Sequence, residues 1–318
     1  IKLFCLTLIL LNIFIKLLFL NANMSKNFKI HTLDLNFLDK DSSIAAYLIE
    51  SSDELVLIET GPETTFNYLV KAIENKGFDW KNIKHVLLSH IHFDHAGAAW
   101  KFAENGAKIY VHPIGLPHLQ NPERLWNSAK MIYKEDMERL WGEMKPIDEK
   151  LLVPADEGDC LSIGDLEFNV HYTPGHAIHH NAYQLEDIIF TGDVAGVRIN
   201  LNPVVPPCPP PDIDLGKWKS SIDKLRKLNP KSLYLTHFGR VEKTLEHLDE
   251  LEWMLDDWAN WMKPYYDKGF DPDEITPKFM EYTKNQLMEK GVNEDDFLRY
   301  EYANPSWMSV VGLLRYWR

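Results

Sequence analysis

The 318-residue sequence has only three cysteines, Cys5, Cys160 and Cys208, too few and too scattered for a disulfide framework or a cysteine-rich zinc site. They read as buried or inert thiols, which fits a reducing compartment. It lacks a basic excess: 34 Lys and Arg against 47 Asp and Glu leave a net charge of −13. Such a balance is a poor electrostatic start for phosphate backbones and points away from a nucleic-acid partner. No internal repeat or low-complexity tract is present, which argues against solenoids and propellers. With 45% hydrophobic and 25% charged residues, the composition is that of a globular protein rather than a fibre, a disordered tail or a multi-span membrane protein. The length allows one large or two ordinary domains.

The one long apolar run is at the start. Residues 3–20 are almost entirely Leu, Ile and Phe, interrupted by Asn12 and Lys16. Lys2 gives a signal peptide its basic start, but Leu20-Asn21-Ala22 is a weak cleavage site. A membrane anchor is long enough, yet a central Lys is costly there. The restricted alphabet before Ala22, with no Met until Met24, also resembles translated A/T-rich DNA upstream of the start. Residues 1–23 are therefore set apart as a leader or an over-extended start. A cytoplasmic protein without a membrane partner is expected if Met24 is the true start, and an exported or anchored one if residues 1–22 are genuine.

Beyond the leader, short apolar runs predict strands at Ser43–Ile49, Leu55–Gly61, His85–Ser89, Lys108–His112, Leu161–Thr173, Asn181–Thr191 and Ser232–Thr236. Helices are expected from about Glu63 to Asn75, from near His95 and over Leu215–Leu228. The stretch Leu116–Lys150 reads as helical and aromatic, a Pro-rich loop spans Pro203–Pro211, and nearly everything after Gly239 reads as helix.

Chemistry concentrates at four places. Ser89-His90-Ile91-His92-Phe93-Asp94-His95 puts four ligand-type residues within six positions at a strand-to-helix junction. From the histidine and aspartate content, the chance occurrence of H-x-H-x-D-H is on the order of 0.002. His90 and His92, two apart in extended chain, project to one side, while Asp94 and His95 leave in another direction and can serve a second ion. The other three places are His176 after Thr173-Pro174-Gly175, Asp193 after Thr191-Gly192, and His237 after Leu235-Thr236. Each alone is an ordinary turn or structural residue. Together they put one metal-capable side chain at the end of each of three further strands.

In this order the residues resemble the metallo-β-lactamase-fold hydrolases, whose motifs run H-x-H-x-D-H, Gly-His, Asp, His. All stations lie between about residue 29 and residue 239. The resemblance implies an α/β fold, an αββα sandwich over 24–240 with a helical insert at about 116–150, followed by a helical C-terminal extension over 241–318. It also implies two divalent metal ions. His90, His92 and His176 would hold one, Asp94, His95 and His237 the other, and Asp193 would bridge them. Zinc is the first expectation, with iron or manganese compatible with the same nitrogen and oxygen ligands. Glu59, where the family often has Asp, would orient a ligand histidine from behind. A water shared by the metals would become the attacking hydroxide, with Asp94 or Asp193 orienting it or accepting its proton.

Antibiotic-hydrolysing members commonly lack the combination of His95 and Asp193, and the −13 charge argues against nuclease relatives. The expected activity is therefore hydrolysis of a small-molecule ester, thioester or lactone, as in the group containing glyoxalase II and lactonases. An iron oxidoreductase of the persulfide dioxygenase kind and a noncatalytic metal-binding relative are the rivals. Trp126, Met131, Tyr133 and Trp141 of the insert are pocket candidates, as are His179, His180 and Arg198, where a cation could receive a substrate carboxylate. The apolar stripe after Val241 reads as packing, with a homodimer face as the alternative. His247, on that helix and outside every motif, is expected to tolerate alanine.

Overall fold

The computed structural model describes residues 28–318, so the leader expectation lies outside the described residues. Twelve strands are described: β1 (Lys29–Asp34), β2 (Ala45–Glu50), β3 (Leu55–Ile58), β4 (His85–Leu87), β5 (Lys108–Val111), β6 (Leu152–Pro154), β7 (Cys160–Ile163), β8 (Leu166–Tyr172), β9 (Asn181–Leu185), β10 (Ile188–Gly192), β11 (Ser232–Leu235) and β12 (Gly239–Val241). They form two six-stranded sheets, ordered β1-β2-β3-β4-β5-β6 and β12-β11-β10-β9-β8-β7.

Alternation along the strands builds the layers. Ala45, Tyr47 and Ile49 of β2 face the second sheet, where Phe168, Tyr183 and Phe190 meet them, while Ala46 and Leu48 turn outward against helices. The outer face of the second sheet packs on the helix Leu215–Leu228 and on the C-terminal helices through Trp218, Leu248, Leu251 and Leu313. The expected αββα sandwich is present. Its insert is helical over Leu116–Gln120, Glu123–Tyr133 and Met137–Trp141.

Three strands lie outside the expected runs: β1, β6 and β12 are short or precede the first clear apolar run. The runs expected as single strands at Leu161–Thr173 and Asn181–Thr191 are hairpins, because Gly164 at φ 56° and Glu186 at φ 52° turn the chain back. Of the two cysteines among the described residues, Cys160 is exposed and Cys208 is enclosed, where burial pushes its thiol pKa up.

Four hydrogen bonds join the sheets at the ligand-bearing edge. Ala45 N–H donates to Thr236 O (2.8 Å) and Asn181 N–H to Ser89 O (2.7 Å), while the buried Tyr183 and Tyr47 hydroxyls donate to Leu88 O and Leu235 O. Each carbonyl lies on or just beyond a strand that leads into a ligand, so the same bonds that fasten the sandwich fix the spacing of the site.

Candidate metal centre

The ligand-type residues leave their strands where the backbone has no room for error. Gly175, before His176, has φ 137°, and a Cβ there would lie 2.3 Å from Trp218 Cα; Gly192, before Asp193, has φ 52° and would place a Cβ 2.5 Å from the Ser89 side chain. Only glycine fits such close approaches. The Pro-Gly-His and Gly-Asp signatures are therefore consequences of packing at the turn.

All seven expected ligands converge. Three groups of side chains have ligand atoms within 4.8 Å of one another: His90, His92 and His176; His90, His95 and Asp193; and Asp94, His95 and His237. The first and third are the two sets expected from the sequence. Between them, Asp193 Oδ2 lies 3.2 Å from His176 Nε2, and Asp193 Oδ1 lies 3.3 Å from His95 Nε2 and 3.4 Å from His237 Nε2.

Behind three of the ligands, the other ring nitrogen is occupied. His176 Nδ1–H donates to Pro207 O (2.9 Å) and His237 Nδ1–H to Ser43 O (2.7 Å). His95 Nδ1 faces the buried Glu59 carboxylate at 3.3 Å, so Glu59 makes the contact expected of it. That carboxylate also lies 3.3 Å from the Ser89 N–H, and Glu59 itself sits at φ 63°, a conformation costly for a side-chain-bearing residue. These contacts turn the Nε2 atoms into the site, the usual arrangement behind a metal-ligating histidine.

His95 Nε2, His237 Nε2 and Asp193 Oδ1 are buried and have no hydrogen-bond partner. Three orphaned acceptor-capable atoms facing one another would be costly without a cation among them. The residues therefore fit divalent metal.

The electrostatics follow. Burial alone would raise the Asp94 carboxyl, but His95 and His237 outweigh it and hold the pKa at about 2. Burial opposes ionisation of Asp193 too, yet His95, His176 and His237 hold its pKa well below the usual carboxylate range. His90 and His92 are pushed down by burial and then by neighbouring imidazoles, His92 to about 3, which keeps their lone pairs free. Burial would also lower His95 and His237, but Asp193 and Asp94 reverse the sign and raise both.

His180 belongs to the site in a way sequence reasoning missed. Its Nε2 accepts from the Asp193 N–H (3.1 Å) and its Nδ1 pairs with Thr173 Oγ1 (2.8 Å), so it props the backbone of Asp193 rather than meeting substrate. His179 lines the cavity over the ligands, and its buried Nδ1 has no partner. Tyr133 and Trp141 line the same cavity, of about 1080 Å³.

Four other expectations need correction. Trp126 does not line the cavity; it packs edge-on against Phe93, ring centroids 5.7 Å apart, on the core side of its helix. Met131 points outward and is 75% exposed. Arg198 faces away from the ligands: it donates to His247 Nδ1 (3.0 Å) and Leu201 O and lies 3.7 Å from Glu250. His247 is no bystander, being fully buried with Nε2–H donating to Ala195 O (2.7 Å), two residues beyond Asp193.

With the geometry in place, the comparisons agree with it. The sequence model of the metallo-beta-lactamase superfamily matches residues 40–237. The chain belongs to that superfamily. Among curated relatives, a metallo-beta-lactamase fold-containing protein ST1585 of Sulfurisphaera tokodaii is 29% identical over 175 residues, 53% of this chain and 66% of the relative. A hydroxyacylglutathione hydrolase of Idiomarina loihiensis is 22% identical over 153 residues, 48% of this chain and 46% of that protein. The matches thus span about half to two thirds of these relatives' lengths. Among solved structures, the metallo-beta-lactamase family protein TTHA1429 of Thermus thermophilus superposes with a TM-score of 0.64 over 91% of this chain and 92% of its own, at 19% identity, which shows the fold alone.

In this superfamily member, no helix among the described residues is long and apolar enough to cross a membrane.

Proposed function

We propose that this superfamily member is a dinuclear metal-dependent hydrolase of a small-molecule ester, thioester or lactone. The observation that carries the reading is the pair of ligand triads flanking Asp193, whose two carboxylate oxygens face opposite sets: Oδ2 towards His176, Oδ1 towards His95 and His237. Two divalent ions, zinc being the first choice, would supply Lewis acidity at the scissile carbonyl and an acidified water. His90, His92 and His176 would hold one ion, Asp94, His95 and His237 the other.

Asp193, between the two sets, would contribute a carboxylate oxygen to each, and His180 keeps its backbone in register. Asp94, whose carboxyl His95 and His237 hold below the usual range against the burial that would raise it, would orient the attacking water or accept its proton. Glu59 holds the His95 ring. His179, neutral because burial and then His92 push its pKa well down, offers a hydrogen bond at the cavity floor. The likeness to a hydroxyacylglutathione hydrolase supports an acyl substrate.

Elemental analysis of the purified protein tests the reading together with an ester, thioester and lactone panel assayed with and without chelator. Two metals per chain and chelator-sensitive turnover are expected. One iron per chain would point instead to the oxidoreductase branch, and full activity in metal-free protein would overturn the reading.

A further inference from the structure

The superfamily match ends at residue 237, yet residues 301–308 form one wall of the cavity over the ligands. They lie at the turn between the helices Glu294–Ala303 and Ser306–Tyr316. From this turn Trp307 meets Tyr133 of the insert edge-on, ring centroids 5.9 Å apart at 83°. The Tyr133 hydroxyl reaches only Met308 Sδ, at 3.8 Å. Tyr133 in turn packs on Trp141 (5.1 Å), and Trp141 stacks on Phe37 (5.6 Å, 13°). An aromatic row thus joins the beginning, the insert and the end of the described chain along one side of the cavity. Glu301, the carboxylate of this wall, is engaged by the Ser306 N–H (3.1 Å) and hydroxyl, so it is not free to receive a ligand.

A second observation comes from the rim. Among the described residues, three isoleucines are exposed: Ile114 at 42%, Ile132 at 37% and Ile178 at 43%. They come from three separate segments, and all three line this cavity. Scattered exposed apolar residues are ordinary, but their gathering around one opening marks a place where apolar ligand surface is taken up. The cavity, about 1080 Å³, is also at the upper end of small-molecule sites, about 300–1000 Å³. A short acyl chain would leave most of it as water.

We infer that the substrate carries a bulky apolar acyl group that lies against the wall formed together by Tyr133, Trp307 and Met308, and that the C-terminal extension sets the size preference. The inference deepens the hydrolase reading and rests on it for the position of the carbonyl end. Two measurements on the full chain separate them. The first is kcat/KM for p-nitrophenyl acetate, butyrate, octanoate and decanoate. The second is calorimetric binding of decanoate and butyrate, which needs no turnover.

Each methylene buried improves the rate constant by up to about fourfold; with the six extra methylenes of decanoyl only partly buried, at about twofold each, decanoyl should exceed butyryl on the order of a hundredfold. Trp307→Ala and Met308→Ala, at partly exposed positions, should reduce that ratio to below about tenfold and weaken decanoate binding in parallel. Trp253→Ala, on the C-terminal helices but away from the cavity, should leave the ratio unchanged. Hydrolysis with no chain-length preference, or a preference intact in both cavity variants, overturns the inference while the hydrolase reading stands. Decanoate binding that Trp307→Ala weakens, in a protein that hydrolyses no ester, upholds the apolar wall and overturns the hydrolase reading. Absence of both hydrolysis and decanoate binding overturns both.

Discussion

His247→Ala should be costly although the residue lies outside every motif. The ring is fully buried, its Nε2–H donates to Ala195 O at 2.7 Å, and its Nδ1 accepts from Arg198. Truncation leaves a buried carbonyl without its donor, about 1–3 kcal/mol, and opens a ring-sized void. Arg198 loses an acceptor where its Nε already has none. The sum is roughly 2–4 kcal/mol, which at about 2–4 °C per kcal/mol for a large domain lowers the melting temperature by roughly 4–16 °C.

The effect should reach the candidate metal ligands as well. Ala195 is two residues from Asp193, and the Arg198 N–H donates to His237 O at 2.5 Å, so one short segment carries one ligand and braces another. Loss of a group that orients ligands costs about 10–100-fold in metal affinity. Differential scanning fluorimetry, with and without chelator, and a competitive zinc titration measure both quantities. Leu245→Ala, two residues away and 46% exposed, is the control. A melting temperature within about 1 °C of the parent, with metal affinity unchanged, would refute the reasoning.

The same ring sets an acid sensitivity. Burial lowers its pKa from the usual 6.5 to about 4, so the neutral ring stabilises the fold above pH 6.5 and that contribution, on the order of 3 kcal/mol, is lost as pH falls towards 4. The gap in stability between parent and His247→Ala should narrow across that window in denaturant titrations, and a constant gap would contradict it. Asp193→Ala should lower turnover by several orders of magnitude and bound metal towards one per chain or fewer; retention of two metals would show that Asp193 is not the bridge. Chelation should lower the melting temperature, because metal bound only by the folded state stabilises it in proportion to affinity and concentration, and an unshifted melting curve would argue against a bound ion. Trp126→Ala should cost stability through lost packing against Phe93, with the ranking of ester chain lengths unchanged; a changed ranking would return Trp126 to the cavity.

Much of the site was legible because its ligands obey local rules. His176, Asp193 and His237 each follow an apolar strand, two of them after a glycine, and H-x-H-x-D-H is rare by chance, so order along the chain was enough. What could not be read depends on long-range packing. His247 lies on a helix whose apolar stripe is visible, but its partner Ala195 is 52 residues earlier, and nothing local marks the polar ring as an anchor rather than a surface residue. Arg198 and Trp126 were placed near the ligands correctly by position and wrongly by direction, since sequence proximity does not say which way a side chain turns. The hairpins at Gly164 and Glu186 were hidden because their flanks are continuously apolar or alternate without a break. The role of Trp307 could not be foreseen, since it is set by a contact with Tyr133 from a distant part of the chain.

The two mirror-ordered sheets divide the metal site between halves of the chain. Everything from His90 to His95 comes from the first sheet, and His176, Asp193 and His237 come from the second, so neither half alone offers a triad containing the Asp193 carboxylate or the His176 and His237 imidazoles. During folding, a half formed without its partner would present only a partial cluster of candidate ligands, and the full set would come together when the sheets close face to face. Metal uptake would in that sense be an assembly checkpoint: an ion would be bound tightly only by chains whose halves have docked, and its binding energy would then work against their separation.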